Sequence, residues 1–209
     1  MYFNFPIALT WLRIILIPLF VGVYYLPDWW LSMFAKNWTA MSIFAIAAIT
    51  DWADGWFARR WGQTSAFGAF LDPVADKLIV MAALIVLVWL GRADAWLCMI
   101  IIGREIAISA LREWMAQLGK SRSVAVAFVG KVKTVAQITA IIALLLDTAF
   151  LPRFTPILGT IALWVAAILT LWSMLHYLRL AAPHLKAGMT TPFEHTSIRI
   201  DPAESEKIK

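Results

Sequence analysis

The sequence predicts an all-α integral membrane protein with six transmembrane helices. Three observations carry this. First, of 209 residues 62% are hydrophobic and 15% charged, against roughly 45–50% and about 25% in ordinary soluble domains. Second, the apolar residues fall into six long runs that do not alternate with polar ones. Runs of about 20 residues match one helical crossing of a bilayer, whereas barrel strands are about 10 residues long and alternate strictly. Third, the basic residues collect in alternate loops. A disordered chain, a collagen-like repeat and an ordinary soluble globule are excluded. The single cysteine, Cys98, also excludes an intramolecular disulfide and a multi-cysteine metal site.

The first run is Ile7 to Leu26, interrupted only by Arg13. It has no basic stretch before it and no small-residue cleavage site soon after it, so it reads as a retained helix and not as a signal peptide. The second is Trp38 to Phe57, apolar until Asp51. The third runs from about Asp72 to Leu90 and the fourth from about Ala95 to Leu111. The fifth, about Val132 to Leu146, is short and polar at its start. The sixth is about Ile157 to Leu180. Residues 1–180 thus form one six-helix domain. Residues 181–209, with Pro183, Pro192, Pro202 and a mixed-charge end, read as a flexible or surface-lying cytoplasmic tail. The twelve tryptophans fit interfacial belts better than a cofactor box, with Trp29, Trp30 and Trp38 flanking the first extracytoplasmic loop.

Loop charge sets orientation. The loops after spans one, three and five hold one base each: Lys36, Arg92 and Arg153. The loops after spans two and four and the tail hold Arg59, Arg60, Lys120, Arg122, Lys186, Arg199, Lys207 and Lys209, with Arg112, Lys131, Lys133 and Arg179 at their edges. Both termini are therefore expected in the cytoplasm. The net charge of +5 suits a surface facing anionic headgroups. Bases that flank membrane spans do not make a nucleic-acid patch, so no nucleic-acid partner is expected.

An ionised residue within a membrane helix costs about 2.5–3.5 kcal/mol on insertion scales and marks function by default. Four of the thirteen acids, Asp51, Asp54, Asp72 and Asp76, lie at the cytoplasmic ends of spans two and three. Spacings of three and four put each pair on one helical face. At about 100° per residue, Asp51, Asp54, Gly55, Ala58 and Arg59 share a stripe, and Gly68, Asp72 and Asp76 form an i, i+4 row if the third helix includes Gly68. Crowded carboxylates are stable as anions only beside cations. Hard divalent ions take oxygen ligands, and Mg²⁺ commonly joins carboxylates to substrate phosphates. Arg59 can fork onto a phosphate oxygen. The composite is phosphoryl transfer at a membrane surface, with the active site at the cytoplasmic ends of helices two and three. The bland alternative pairs the acids with Arg59, Arg60 and Lys77 as interfacial ion pairs. A second alternative, a divalent-cation transporter, would place its acids nearer the midplane.

Residues 51–76, DWADGWFARRWGQTSAFGAFLDPVAD, resemble the signature of the CDP-alcohol phosphotransferase family, D-x₂-D-G-x₂-A-R-x₈-G-x₃-D-x₃-D. All eight fixed positions are matched: Asp51, Asp54, Gly55, Ala58, Arg59, Gly68, Asp72 and Asp76. Within the family the chain is most similar, over about residues 1–180, to members whose acceptor is glycerol 3-phosphate. The segments NFPIALTWLRIILIP, FGAFLDPVADK, GREIAISALREWMAQLGK and GKVKTVAQ carry that similarity. The resemblance implies transfer of the phosphatidyl group of CDP-diacylglycerol to glycerol 3-phosphate with release of CMP. It implies Mg²⁺ or Mn²⁺, two ions, and a bacterial, inner-membrane homodimer. It makes Asp51, Asp54 and Asp72 metal ligands, with Asp72 bridging. Asp76 becomes the general base and a further ligand. Asp54, Gly55, Ala58, Arg59 and Gly68 become the CDP-diacylglycerol site. Relatives that use serine or an inositol phosphate remain the alternatives within the family.

A phosphorylated acceptor needs convergent bases. On the fourth span Arg104, Glu105, Ile108, Ser109 and Arg112 share a face, and Lys131 and Lys133 enter the fifth span ahead of Thr134 and Gln137. Arg104, Arg112, Lys131 and Lys133 are the candidates for the acceptor's phosphate, arginine as a fork and lysine as a point charge. Arg104 stands out because Glu105, adjacent in sequence, is not expected to face it. The bland alternatives are an Arg112–Glu113 pair and lysines that only anchor the helix. Thr10 and Arg13 share a face of span one. Arg13 either snorkels to headgroups or, with Thr10, reaches the lipid diphosphate. His176 and Arg179 read as structural or interfacial.

Overall fold

A computed structural model describes residues 5–61, 66–117, 127–146 and 154–190. Within these, 5–7, 51–61, 66–70, 116–117, 127–131, 180–181 and 183–190 are described at the backbone only. The described residues form six helices and no strand: α1 (Phe5–Val23), α2 (Met33–Trp61), α3 (Ala66–Trp89), α4 (Ala95–Gln117), α5 (Ala127–Leu145) and α6 (Phe154–Thr190). Each apolar run is one helix. The helices mostly outrun the apolar windows, because backbone hydrogen bonding does not stop where side chains become polar. Lys36, expected in a loop, lies in α2. α3 begins at Ala66 and carries Pro73 in its interior, although proline removes one ladder donor. α6 continues to Thr190, so the start of the expected tail is helical. Residues 191–209 lie outside the described residues.

Local chemistry explains the helix ends. Ser32 precedes α2, and its Oγ accepts from the Ala35 amide at 3.4 Å, the usual side-chain cap of an N-terminus. At the end of α3, Gly91 takes a left-handed φ of 69°. The Arg92 amide then reaches the Leu87 carbonyl at 2.9 Å and the Gly91 amide that of Val88 at 3.0 Å, a Schellman termination that favours glycine at this position. Asp94 starts α4, its carbonyl accepting from Cys98 N–H at 3.1 Å.

Successive helices run up and down. Thr10 near the start of α1 meets Asp72 near the start of α3, while Tyr24 after α1 packs edge-on against Trp89 at the end of α3. α1 lies against α2 and α3, α5 against α6, and α4 mainly on α6, with smaller contacts from α3 to α4 and from α5 to α2 and α3. The main apolar core draws on every helix: Phe20 on α1, Phe44 and Ala47 on α2, Leu84 and Leu87 on α3, Ile101 on α4, Ile141 and Leu144 on α5, and Leu163 and Ala166 on α6. α5 and α6 approach closely at Gly159, where a Cβ would lie 2.6 Å from Leu144 Cγ and 3.2 Å from its backbone nitrogen.

The outward faces are apolar as well. Ile15, Leu19, Ile49, Ile85, Met99, Val135, Ile168 and Leu175 are all exposed, whereas soluble monomers rarely present large apolar patches. Among the described residues, Phe154–Arg179 of α6 is by itself long and apolar enough to cross a membrane, and Ala8–Val23 and Val132–Leu145 are shorter apolar stretches.

Candidate active site

Because α3 starts at Ala66, Gly68 is helical and the row Gly68, Asp72, Asp76 forms. Asp72 is half-buried, and the Thr10 hydroxyl of α1 donates to its Oδ1. Thr10, expected at the lipid diphosphate, is thus seen holding a carboxylate. Arg13, one turn further along α1, is fully buried, which removes the snorkelling alternative. Asp76, about 6 Å along the helix axis from Asp72, is exposed. It borders a cavity of about 270 Å³ lined also by Phe44 and Ala47 of α2, Ile79 of α3, and Thr134 and Gln137 of α5.

Asp51, Asp54, Gly55, Ala58 and Arg59 occupy the last turns of α2, a helix that packs on α3. These positions, like Gly68 and Lys131, are described at the backbone only. Among the described residues no group of three or more acids, histidines or cysteines converges as a metal site. The carboxylate set expected from the sequence includes Asp51 and Asp54, whose side chains are not among those described. Its chemistry, oxygen donors one turn apart on a helix end, fits a hard divalent ion.

The basic candidates meet where α4, α5 and α6 converge. Arg104 is buried, and its Nη2 donates to Ser173 Oγ of α6 at 2.6 Å. Its Nη1 donates to Glu105 Oε2 at 3.2 Å. Lys133, also buried, donates to the same Glu105 oxygen. The expectation that Glu105 does not face Arg104 is therefore wrong. The adjacency rule describes where Cβ atoms point, and two long side chains curl back to meet despite it. Lys133 is a partner in this cluster and not a surface anchor. Arg112 is exposed, and its guanidinium carbon lies 5.4 Å from the Tyr177 ring centroid. Arg104 sits 5.9 Å from the same ring, within range of a cation–π attraction. His176 and Arg179, one and two residues from this stripe, are exposed.

Three contributors escaped the sequence reading: Ser173 of α6, which accepts from Arg104, Tyr177 of α6, whose ring both arginines approach, and Glu105 as the acid that Arg104 shares with Lys133. The signal for α6 was present as a polar row, Thr170, Ser173 and Tyr177, at helical spacing in an apolar span. Gln137 was noted only as a follower of the two lysines. It is buried and borders the Asp76 cavity.

A different polar cluster occupies the far end of the bundle. Arg92 Nη1 donates to Asn37 Oδ1 at 3.1 Å and to the carbonyls of Leu144 and Leu145 at 3.3 and 3.1 Å. The Tyr24 hydroxyl also donates to Asn37 Oδ1, at 3.3 Å. Lys36 reaches Asp28 at 2.7 Å. Arg92 here stabilises the carbonyl end of α5.

Comparison with known proteins agrees with the geometry. The sequence profile of the family described as CDP-alcohol phosphatidyltransferase matches residues 3–172. The chain is 53% identical over 188 residues to the CDP-diacylglycerol–glycerol-3-phosphate 3-phosphatidyltransferase of Escherichia coli strain K12, covering 88% of this chain and 98% of that protein. The correspondingly named proteins of Shigella flexneri serotype 5b and Shigella boydii serotype 4 are each 52% identical over the same shares. With its motif residues on α2 and α3 and a profile match across most of its length, the chain belongs to the CDP-alcohol phosphatidyltransferase family.

Proposed function

We propose that this enzyme transfers the phosphatidyl group of CDP-diacylglycerol to glycerol 3-phosphate, forming phosphatidylglycerophosphate and releasing CMP. The observation that carries the reading is 53% identity across 98% of a relative bearing that name. The buried bases beside the carboxylate helix support a phosphorylated acceptor over serine.

In this reading Asp76 removes the proton from the acceptor's free terminal hydroxyl, and its exposure on a cavity wall suits that task. The hydroxyl oxygen bonds to the phosphorus that carries diacylglycerol, the bond from that phosphorus to the CMP oxygen breaks, and CMP departs with the electron pair. Thr10 keeps Asp72 oriented. Arg59 contacts the diphosphate, Asp54, Gly55, Ala58 and Gly68 line the nucleotide site, and Arg13 is assigned to the lipid diphosphate. Arg104, Arg112, Lys131 and Lys133 hold the acceptor's phosphate. Asp51, Asp54, Asp72 and Asp76 would hold two divalent ions, Mg²⁺ or Mn²⁺, which supply positive charge to the diphosphate oxygens as charge develops on them.

The six helices each cross a bacterial inner membrane, with both termini and the α2–α3 carboxylates on the cytoplasmic side, and the enzyme works as a homodimer. The apolar outward faces of all six helices support immersion in lipid. A site at the helix ends lets the lipid enter from the bilayer and the polar acceptor from the cytoplasm. An acceptor panel tests the reading. Purified protein, CDP-diacylglycerol and Mg²⁺ are offered glycerol 3-phosphate, serine, inositol and inositol phosphate, and CMP is measured. Glycerol 3-phosphate is expected to be the one efficient acceptor. Efficient CMP release with serine or inositol phosphate in its place overturns the assignment.

A further inference from the structure

We infer that Glu105 is a positioning residue of the acceptor site: its carboxylate ties Arg104 of α4 to Lys133 of α5 so that the two cations are offered as a pair to one phosphate group. The inference rests on the reading that these two bases receive the acceptor's phosphate.

Helix packing is the first support. Both α4 and α5 lie on α6, but among the described residues they do not pack on each other. What joins them is a chain of side chains. Lys133 and Arg104 both donate to Glu105 Oε2, Arg104 also donates to Ser173 Oγ at 2.6 Å, and Ser173 in turn donates to the Thr170 carbonyl at 2.9 Å. Without Glu105 nothing in this chain fixes Lys133 relative to Arg104.

The charge balance is the second. The Arg104 and Lys133 side chains keep 4% and 7% of their exposure, while the carboxylate they share keeps 25%. Among the described residues, two buried cations against one acid leave an excess positive charge, and Arg112 adds another cation beside the same Tyr177 ring. A pair built for stability alone would be neutral, and well-packed apolar residues usually serve that purpose as well or better. The third is an unmet donor. Arg104 Nε is buried without a hydrogen-bond partner, although two of the guanidinium's other donors are committed. An incoming anion relieves both the excess charge and the unmet donor. Glu105 itself repels a phosphate, so its part is to hold the cations and not to touch substrate.

The test uses the full-length enzyme in detergent micelles with CDP-diacylglycerol as donor. Glu105→Gln is expected to raise KM for glycerol 3-phosphate about tenfold or more, a change of about 1.4 kcal/mol or more, with KM for CDP-diacylglycerol within about twofold. Inhibition by inorganic phosphate should weaken in parallel, since it reads the phosphate contacts alone. Glu105→Asp, which keeps the charge and shortens the reach, should recover part of the loss. In a Lys133→Met background, Glu105→Gln should cost clearly less than in the wild type, the coupling expected of residues that act as one unit. Equal rises in both KM values, an unchanged KM for glycerol 3-phosphate, or full additivity with Lys133→Met overturns the inference. If Glu105→Gln does not yield folded protein, Glu105→Asp decides by the same split between the two KM values. A wild-type enzyme that does not prefer glycerol 3-phosphate to glycerol sinks the proposed function instead, whatever Glu105 does.

Discussion

Two buried polar clusters stand at different levels of the same bundle, and they solve opposite problems. At the far end one cation, Arg92, meets neutral oxygens: an asparagine side chain and two carbonyls at the end of α5. Those carbonyls are the negative pole of a helix, so the cluster closes on itself and seals a helix terminus. Between α4, α5 and α6, two cations share one carboxylate, and one of them, Arg104, also donates to a serine. Among the described residues that cluster holds two cations and one acid, next to the helix that carries Asp72 and Asp76. Arginine is used in both places, as a fastener at the far end and, in the proposed function, as a receptor here.

Substitutions can break this contrast, from the largest effect to the smallest. Asp76→Asn removes the proposed base and should lower CMP release by roughly 10²–10⁴-fold while CMP affinity stays within a few-fold. Near-wild-type release from this variant ends the base assignment. Arg104→Lys keeps the charge but loses the fork that reaches Ser173 and Glu105 together. KM for glycerol 3-phosphate should rise about tenfold, because the two side chains are not interchangeable at a multiply bonded site. Arg92→Met should leave both KM values and turnover unchanged and lower stability by about 1–3 kcal/mol, read as an earlier thermal unfolding transition in detergent. A change in either KM would erase the distinction between the clusters. Ser32→Ala removes only the cap of α2 and should cost about 0.5–2 kcal/mol by the same thermal measurement, again with unaltered kinetics.

The helical placement of the candidate residues was legible because helical periodicity is a local property. The row Gly68, Asp72, Asp76 follows from spacing once the helix includes residue 68, and α3 does. The share of a face between Arg104 and Arg112 follows in the same way, and both arginines do lie against Tyr177. What was not legible depended on reach or on tertiary neighbours. Glu105 was set aside because adjacent residues diverge on a helix, yet the Arg104 side chain is long enough to return to it. Ser173 is 69 residues away from its partner, and no local pattern names such a pairing. Arg92 looked like a stray base on the wrong side of the charge rule, but its guanidinium is spoken for by α5. Helix lengths were underestimated because a hydropathy window measures the apolar stretch, while the hydrogen-bonded ladder of α2 runs on through Asp51 and Arg59 to Trp61.

The close contact at Gly159 has a mechanical meaning. Leu144 on α5 and Gly159 on α6 meet near the far end. Lys133 lies eleven residues along α5 from that contact, roughly 16 Å at 1.5 Å per residue, and Ser173 about 21 Å along α6. The two helices pack on each other, and a side-chain carbon added at position 159 would meet Leu144 and wedge them apart. The spacing of the two helices that carry Lys133 and Ser173 thus depends on a hydrogen atom at position 159.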